Sequence, residues 1–404
     1  MTIWLIVRKS LRQHALSTAI TAISIALASG LLMAVWVVKE QSMAAFTTVG
    51  KGDFHAVMGA RGSELSLVLF SVFHMDEASA TLPVQEYSDL VSVPANRRAV
   101  KGAVPIVVGD NYRGFRIVGT TTNFFEVEYA PGRKHQLKAG RMFNPNLQEA
   151  VVGSFVAQRE GLTIDSIFQP VHGVYEQEGA TVHNVNYVVV GVLEPSNTPA
   201  DHAVWIPMAG AQNMEGHESS LSTDISAILI QFRDPALGVQ WADRVNQNRR
   251  DVTVANIAPT VTAFFQRFEW LRTVLGAMAA LVALVGAGGI LASLYNTMNE
   301  RRREVAILRA LGARRGTVFG AIVLESATIS AIGVAVGFVF YGGFMATAAW
   351  YIREQTGVVV DPWAGHSVLA LGPLGILTLG TLAGIVPAAK AYGTDVAENL
   401  LPQS

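Results

Sequence analysis

From Ala15 to Val38 the chain runs 24 residues without a charged side chain. As an α-helix that stretch measures about 36 Å, more than the roughly 30 Å of hydrocarbon in a bilayer. In hydrocarbon, each backbone N–H and C=O must find its partner within the protein, so a lone run of this kind is helical. Thr273–Tyr295, Thr317–Gly343 and Ser367–Val386 are further runs of comparable length and apolarity. The remaining chain is different in character. Of 404 residues, 50% are hydrophobic and 15% charged, and mean hydropathy is +0.34. That is too apolar for an ordinary soluble protein and too polar for one wholly embedded in lipid. The expected fold is a membrane protein: four transmembrane helices, with a large α+β extracytoplasmic (periplasmic) domain between helices 1 and 2.

The expected order follows the hydropathy. Residues 1–14, with Arg8, Lys9 and Arg12 beside Trp4, Leu5 and Ile6, form a cytoplasmic amphipathic segment. Residues 15–38 are the first span. No small-x-small site ends it, so it reads as an uncleaved signal anchor. The outer domain is 39–270, the second span 273–295, a cytoplasmic connection 296–316 and the third span 317–343. A short outer loop (344–366), the fourth span (367–386) and a cytoplasmic tail (387–404) complete the chain. Arg8, Lys9, Arg12, Arg301, Arg302, Arg303, Arg309, Arg314, Arg315 and Lys390 all fall on one side, whereas the short outer loop holds only Arg353. This asymmetry places both termini inside and the large domain outside.

Within residues 39–270, strand-like and helical patterns alternate. Tyr112–Gly119 alternates its apolar residues as a half-buried strand does. Val185–Leu193 and Ile225–Phe232 are continuous apolar runs, expected to be buried strands. Pro235–Arg249 carries Leu237, Trp241 and Val245 four residues apart, one apolar face of a helix. Leu65–Phe73 is apolar but too short to span, and is read as a buried helix in preference to an exposed surface for apolar cargo. Lys39–Val49 and Ala258–Arg272 are expected as helical stalks. In the third span, Glu325 is costly in hydrocarbon; it either packs inside the bundle or is solvated near headgroups.

Between the second and third spans lies NERRREVAILRALGARR, Asn299 to Arg315. Val305, Leu308 and Leu311 recur every three residues and share a helical face. Glu300 can meet Arg303, and Arg301 can meet Glu304, on that helix. Gly312 supplies its stop. Arg303-Glu304-Val305-Ala306-Ile307-Leu308-Arg309-Ala310-Leu311-Gly312-Ala313 resembles the coupling-helix signature of the FtsX-like/MacB-like ABC transporter permeases, with Ala306 where a glycine is common. Ala150–Leu162 resembles that family's strand–Gly–helix–Gly unit. Tyr187–Pro207 resembles its segment with T-P-x-D, here Thr198, Pro199 and Asp201. Pro387–Leu401 is similar to its C-terminal motif, with Val396 in place of the usual proline.

The resemblance implies the transmembrane subunit of an ABC system in the bacterial inner membrane, a multi-pass protein that passes ATPase-driven motion to an outer domain. Arg301, Arg302, Arg303, Glu304, Leu308, Arg309 and Gly312 are the implied ATPase-coupling residues. ATP and Mg would be bound by a separate ABC ATPase subunit, with two permeases meeting two ATPases, the permeases as a homodimer. A periplasmic or lipoprotein partner is compatible with the same reading. Cargo would be a lipoprotein, a lipid-like molecule, a peptide or a drug. The alternative is a non-transporting FtsX-like regulator of a periplasmic enzyme or a ligand- or metal-linked signalling complex.

Several chemistries are excluded. The phosphate-cradling loop GxxxxGK[ST] is absent: Gly50-Lys51 is followed by Gly52, and Ala45 stands where the earlier glycine belongs. There is no cysteine, hence no thiol catalysis and no Cys-ligated metal. Neither GxSxG nor HExxH occurs, so no catalytic residue is assigned and no enzyme activity is expected on this chain. A net charge of −1 gives no nucleic-acid footprint. His55, His74, His135, His172, His183, His202 and His217 lie in the outer domain without helical i, i+4 spacing. They read as scattered surface side chains, with no metal site.

Overall fold

The computed structural model describes residues 3–49, 52–175, 179–214, 223–270, part of 273–295, 309, 312–356 and 360–392. The chain divides into two compact units. One comprises 1–41, 269–351 and 360–404; the other 42–268 and 352–359.

The second unit is built on an eleven-stranded mixed sheet. Its strands run in the order Val252–Asn256, Ala56–Ala60, Ala227–Phe232, Val100–Tyr112, Phe115–Thr120, Ala203–Pro207, Glu149–Val152, Tyr187–Leu193 and Leu137–Gly140. Two short strands, Val171–His172 and Ile167–Phe168, attach to Val100–Tyr112 and Tyr187–Leu193. Most pairs are antiparallel. Ala203–Pro207 runs parallel to Phe115–Thr120, and Tyr187–Leu193 parallel to Glu149–Val152. Helix packs on both faces, which is why the central strands read as unbroken apolar runs. Along Ala227–Phe232, Ala227 and Leu229 join an apolar cluster with Leu67 and Phe70 of the helix Glu64–Val72. Ile228, Ile230 and Phe232 join another with Ala242, which lies on the helix Pro235–Asn248. Leu65–Phe73 is thus largely a buried helix, with Leu67, Val68 and Phe70 inside.

Two expectations are corrected here. Tyr112–Gly119 is not one strand. The chain reverses at Arg113 and Gly114, both with positive φ (49° and 81°), and Tyr112 pairs with Phe115. Two residues with φ > 0 are what a tight hairpin needs, so one alternating pattern conceals two strand ends. On Pro235–Asn248, Trp241 and Val245 face the core but Leu237 is 54% exposed. A four-residue step overshoots a helical turn by about 40°, so the seam drifts off Leu237. Gly238 takes the inner position instead, its backbone against the Phe232 ring.

In the first unit, Ile3–Gln13 is followed by the part of the helix Ala15–Val49 up to Gln41, and Ala15–Gln41 is apolar and long enough to cross a membrane. Arg315–Glu354 and Val368–Lys390 also meet that test. These are the candidate spans among the described residues. Thr273–Tyr295 lies only partly within them, its described residues being helical. Close helix approach is built from small residues. A Cβ on Gly30 would lie 2.9 Å from the Gly337 carbonyl oxygen, and one on Gly333 2.6 Å from Ile25 Cγ2. The Gly333-x-x-x-Gly337 pair therefore packs Arg315–Thr356 directly on Ala15–Val49.

Candidate functional site

Of the residues implied in ATPase coupling, Arg301, Arg302, Arg303, Glu304 and Leu308 lie outside the described residues. Arg309 is helical, and Gly312 has φ +98° with its N–H donated to the Arg309 carbonyl at 3.0 Å. A left-handed glycine of this kind ends a helix and satisfies a terminal carbonyl. The next helix starts at Arg315, whose guanidinium stands 5.7 Å from the Tyr392 ring centroid. Lys390 Nζ lies 3.6 Å over the ring of Tyr295. Cations held over aromatic faces in this way are fixed in place more firmly than free side chains.

Glu325 is 6% exposed and accepts a hydrogen bond from Ser10 Oγ of the helix Ile3–Gln13. It packs against protein, covered by the helix Ile3–Gln13. Ser326 beside it meets the close approach of Gly384. At the far end of the apolar run in Ala15–Val49, polar contacts recur. Asp361 N–H donates to Gln41 Oε1 at 2.7 Å, His366 Nδ1 lies 2.8 Å from Glu40, and Tyr341 donates to the Pro362 carbonyl. Among the described residues of the first unit, side-chain hydrogen bonds thus join the helices on both sides of the apolar runs.

In the sheet-rich unit, the expectation of scattered surface histidines is corrected for His135 and His183, whereas His172 is exposed and His217 lies outside the described residues. His135 is 8% exposed and His183 3%. His135 sits between Phe124 (ring centroids 5.5 Å) and Tyr129 (4.6 Å), and His74 lies edge-on to Trp205 at 5.5 Å. These rings are packed as aromatics, and their Nδ1 atoms are buried with no hydrogen-bond partner among the described residues. Burial lowers His135 to about 4. It lowers His74 to about 3, with Arg116 adding to the effect, and His202 to about 4. All three are neutral in the fold.

Asp201 of the T-P-x-D segment closes a turn. Its carboxylate accepts from the N–H groups of Ser196 (2.9 Å) and Asn197 (2.8 Å) and from Ser196 Oγ (3.0 Å). Burial pushes its pKa up and these hydrogen bonds oppose the rise. The turn is fitted tightly to its neighbour: a Cβ on Gly153 would lie 2.6 Å from the Ala200 carbonyl oxygen. Asp201 therefore has a structural role. Sequence reasoning missed one grouping altogether. Asp110, His172 and His183 each bring one ligand atom within 4.8 Å of the others. No spacing could reveal it, since the register of separate strands sets it.

Residues 16–248 match the family model described as the MacB-like periplasmic core domain, and 276–396 that of the FtsX-like permease C-terminal region. Among relatives, the macrolide export ATP-binding/permease protein MacB of Brucella abortus is 23% identical over 378 residues, covering 88% of this chain and 55% of that protein. The pyoverdine export ATP-binding/permease protein PvdT of Pseudomonas aeruginosa is 22% identical, covering 90% of this chain and 54% of its own length. PvdT of Pseudomonas savastanoi pv. phaseolicola is 29% identical over 228 residues, 53% of this chain and 33% of that protein. The chain thus spans about half the length of the first two.

Proposed function

The chain belongs to the MacB-like family of FtsX-type ABC permeases, and on that premise we propose that it is the force-transmitting membrane subunit of an ABC exporter. ATP is hydrolysed on a separate nucleotide-binding subunit, and two copies of this chain meet two such subunits in the bacterial inner membrane. The segment 299–315 docks on the ATPase. Closure of the ATPases moves the spans, and the spans move the outer domain against a substrate outside the membrane. The observation that carries this reading is the pairing, in one chain, of a periplasmic core match over 16–248 with a permease match over 276–396.

The absence of a phosphate-cradling loop supports placing hydrolysis elsewhere. The span bundle supports transmission: its candidate spans are apolar, and among the described residues they pack through closely approached glycines and a buried apolar cluster that includes Ile25, Ile322, Ile329 and Ile376. A polar route between so few helices would be hard to line. The relatives named for macrolide and pyoverdine export support outward work on a substrate.

Co-expression with an ABC ATPase encoded beside this chain, followed by native mass spectrometry in detergent, tests the proposal. The expected species contains two of each subunit. Glu304→Lys, which reverses a charge within the docking segment, should dissociate it without loss of membrane insertion. A chain that captures no ATPase, or a complex indifferent to Glu304→Lys, would overturn the coupling role.

A further inference from the structure

We propose that Asp110, His172 and His183 form a binding site for one borderline divalent transition metal, Zn(II) in particular, on the outer domain. Strand register brings them together. The segments 170–172 and 181–183 form a hairpin in which Val171 faces Val182. His172 N–H donates to the Thr181 carbonyl at 2.8 Å, and His183 N–H to the Pro170 carbonyl at 2.9 Å. His172 and His183 are therefore diagonal neighbours on one face of the hairpin. The hairpin in turn pairs with Val100–Tyr112, and there His172 lies directly opposite Asp110. Residues directly opposite in an antiparallel pair share a face, so all three side chains converge.

The geometry is close to that of a coordination sphere. Asp110 Oδ1 is 2.9 Å from His183 Nε2 and 3.6 Å from His172 Nδ1. Ligands bound at about 2.0–2.1 Å around a tetrahedral ion are about 3.3–3.4 Å apart, so the groups bracket the required spacing. On the neighbouring residue, the Asn111 amide donates to the carbonyls of Gly173 (2.7 Å) and Tyr175 (3.2 Å), which holds the hairpin that carries His172. The side chains of Asp110 and His183 are 4% and 2% exposed, while that of His172 is 52% exposed. The site is thus walled on two sides and open on the third.

The donor set selects the ion. Two imidazoles and one carboxylate suit Zn(II), Co(II) or Ni(II). Mg(II) and Ca(II) favour all-oxygen shells. Three protein ligands leave one position for water or for a group brought from outside, as at exchangeable sites. This inference does not rest on the transport proposal.

The test uses the full-length chain in detergent, purified with a histidine-free tag and stripped of metal by a chelator that is then removed. Titration with Zn(II) alone should give one equivalent bound per chain, and Mg(II) should not compete. Co(II) should give the intense visible absorption of a tetrahedral site. His172→Ala removes a half-exposed ligand and should leave the circular dichroism unchanged. It should weaken Zn(II) binding at least tenfold, since loss of even a supporting partner costs 10–100-fold. Asp110→Asn should act in the same direction. No saturable binding near one equivalent, or binding unchanged in both variants, would overturn the proposal.

Discussion

At the scale of residues, neutral histidines make the sheet-rich unit sensitive to acid. His135 is held to about 4 by burial, against 6.5 for the ordinary ring. A pKa lowered in the fold gives stability that is complete above 6.5. It is lost as pH falls from 6.5 toward 4, and levels off below that. For His135 the loss is roughly 3 kcal/mol, from about 1.4 kcal/mol per pH unit. His135→Phe keeps the ring between Phe124 and Tyr129 but removes the titration. Denaturant unfolding at pH 7 and pH 4.5, followed by near-UV circular dichroism, should show the pH-dependent loss shrink by about 2 kcal/mol in the variant. An equal loss in both proteins would remove His135 from the account. The chain gave no sign of this behaviour, because a histidine beside Gln136 reads the same whether it is buried or exposed.

At the scale of elements, the span packing is tested by two glycines on one helix. Gly337 lies against Ala15–Val49: a Cβ there would come 3.1 Å from the Ala26 carbonyl oxygen. A Cβ on Gly342 would meet no other element within 4 Å among the described residues. Gly337→Leu should destabilise the detergent-solubilised chain by about 1–3 kcal/mol through overpacking. Gly342→Leu should change thermal stability little. Equal melting temperatures for the two variants would show that the interface is not formed as described. Elements were legible where their signal is local. The strand–Gly–helix–Gly unit appears as Glu149–Val152, Gly153, Ser154–Glu160 and Gly161 at φ +67°. The hairpin at Arg113–Gly114 was not legible, because Tyr112 and Phe115 continue the alternation across it.

At the scale of the whole molecule, the topology proposed from arginine placement can be tested by labelling, since the chain has no cysteine. Leu147 is 51% exposed in the sheet-rich unit, and Lys9 is exposed on the N-terminal helix. Leu147→Cys should react with a membrane-impermeant maleimide added to cells with a permeabilised outer membrane. Lys9→Cys should react only after lysis. Labelling of both in the same step would reverse or abolish the proposed orientation.

Hydropathy and short-range pattern alone determined that this chain enters a membrane, where its apolar runs fall, and that Gly312 ends a helix after Arg309. Those properties depend on residues within a turn or two of each other, or on solvent transfer of a continuous stretch. Only the tertiary structure decided that Asp110 meets His172 and His183, that His135 is an aromatic neighbour of Phe124 and Tyr129, and that Ser10 covers Glu325. Each of those contacts joins segments whose separation along the chain carries no period. Strand register and helix packing create the contacts, and both are cooperative properties of the assembled core.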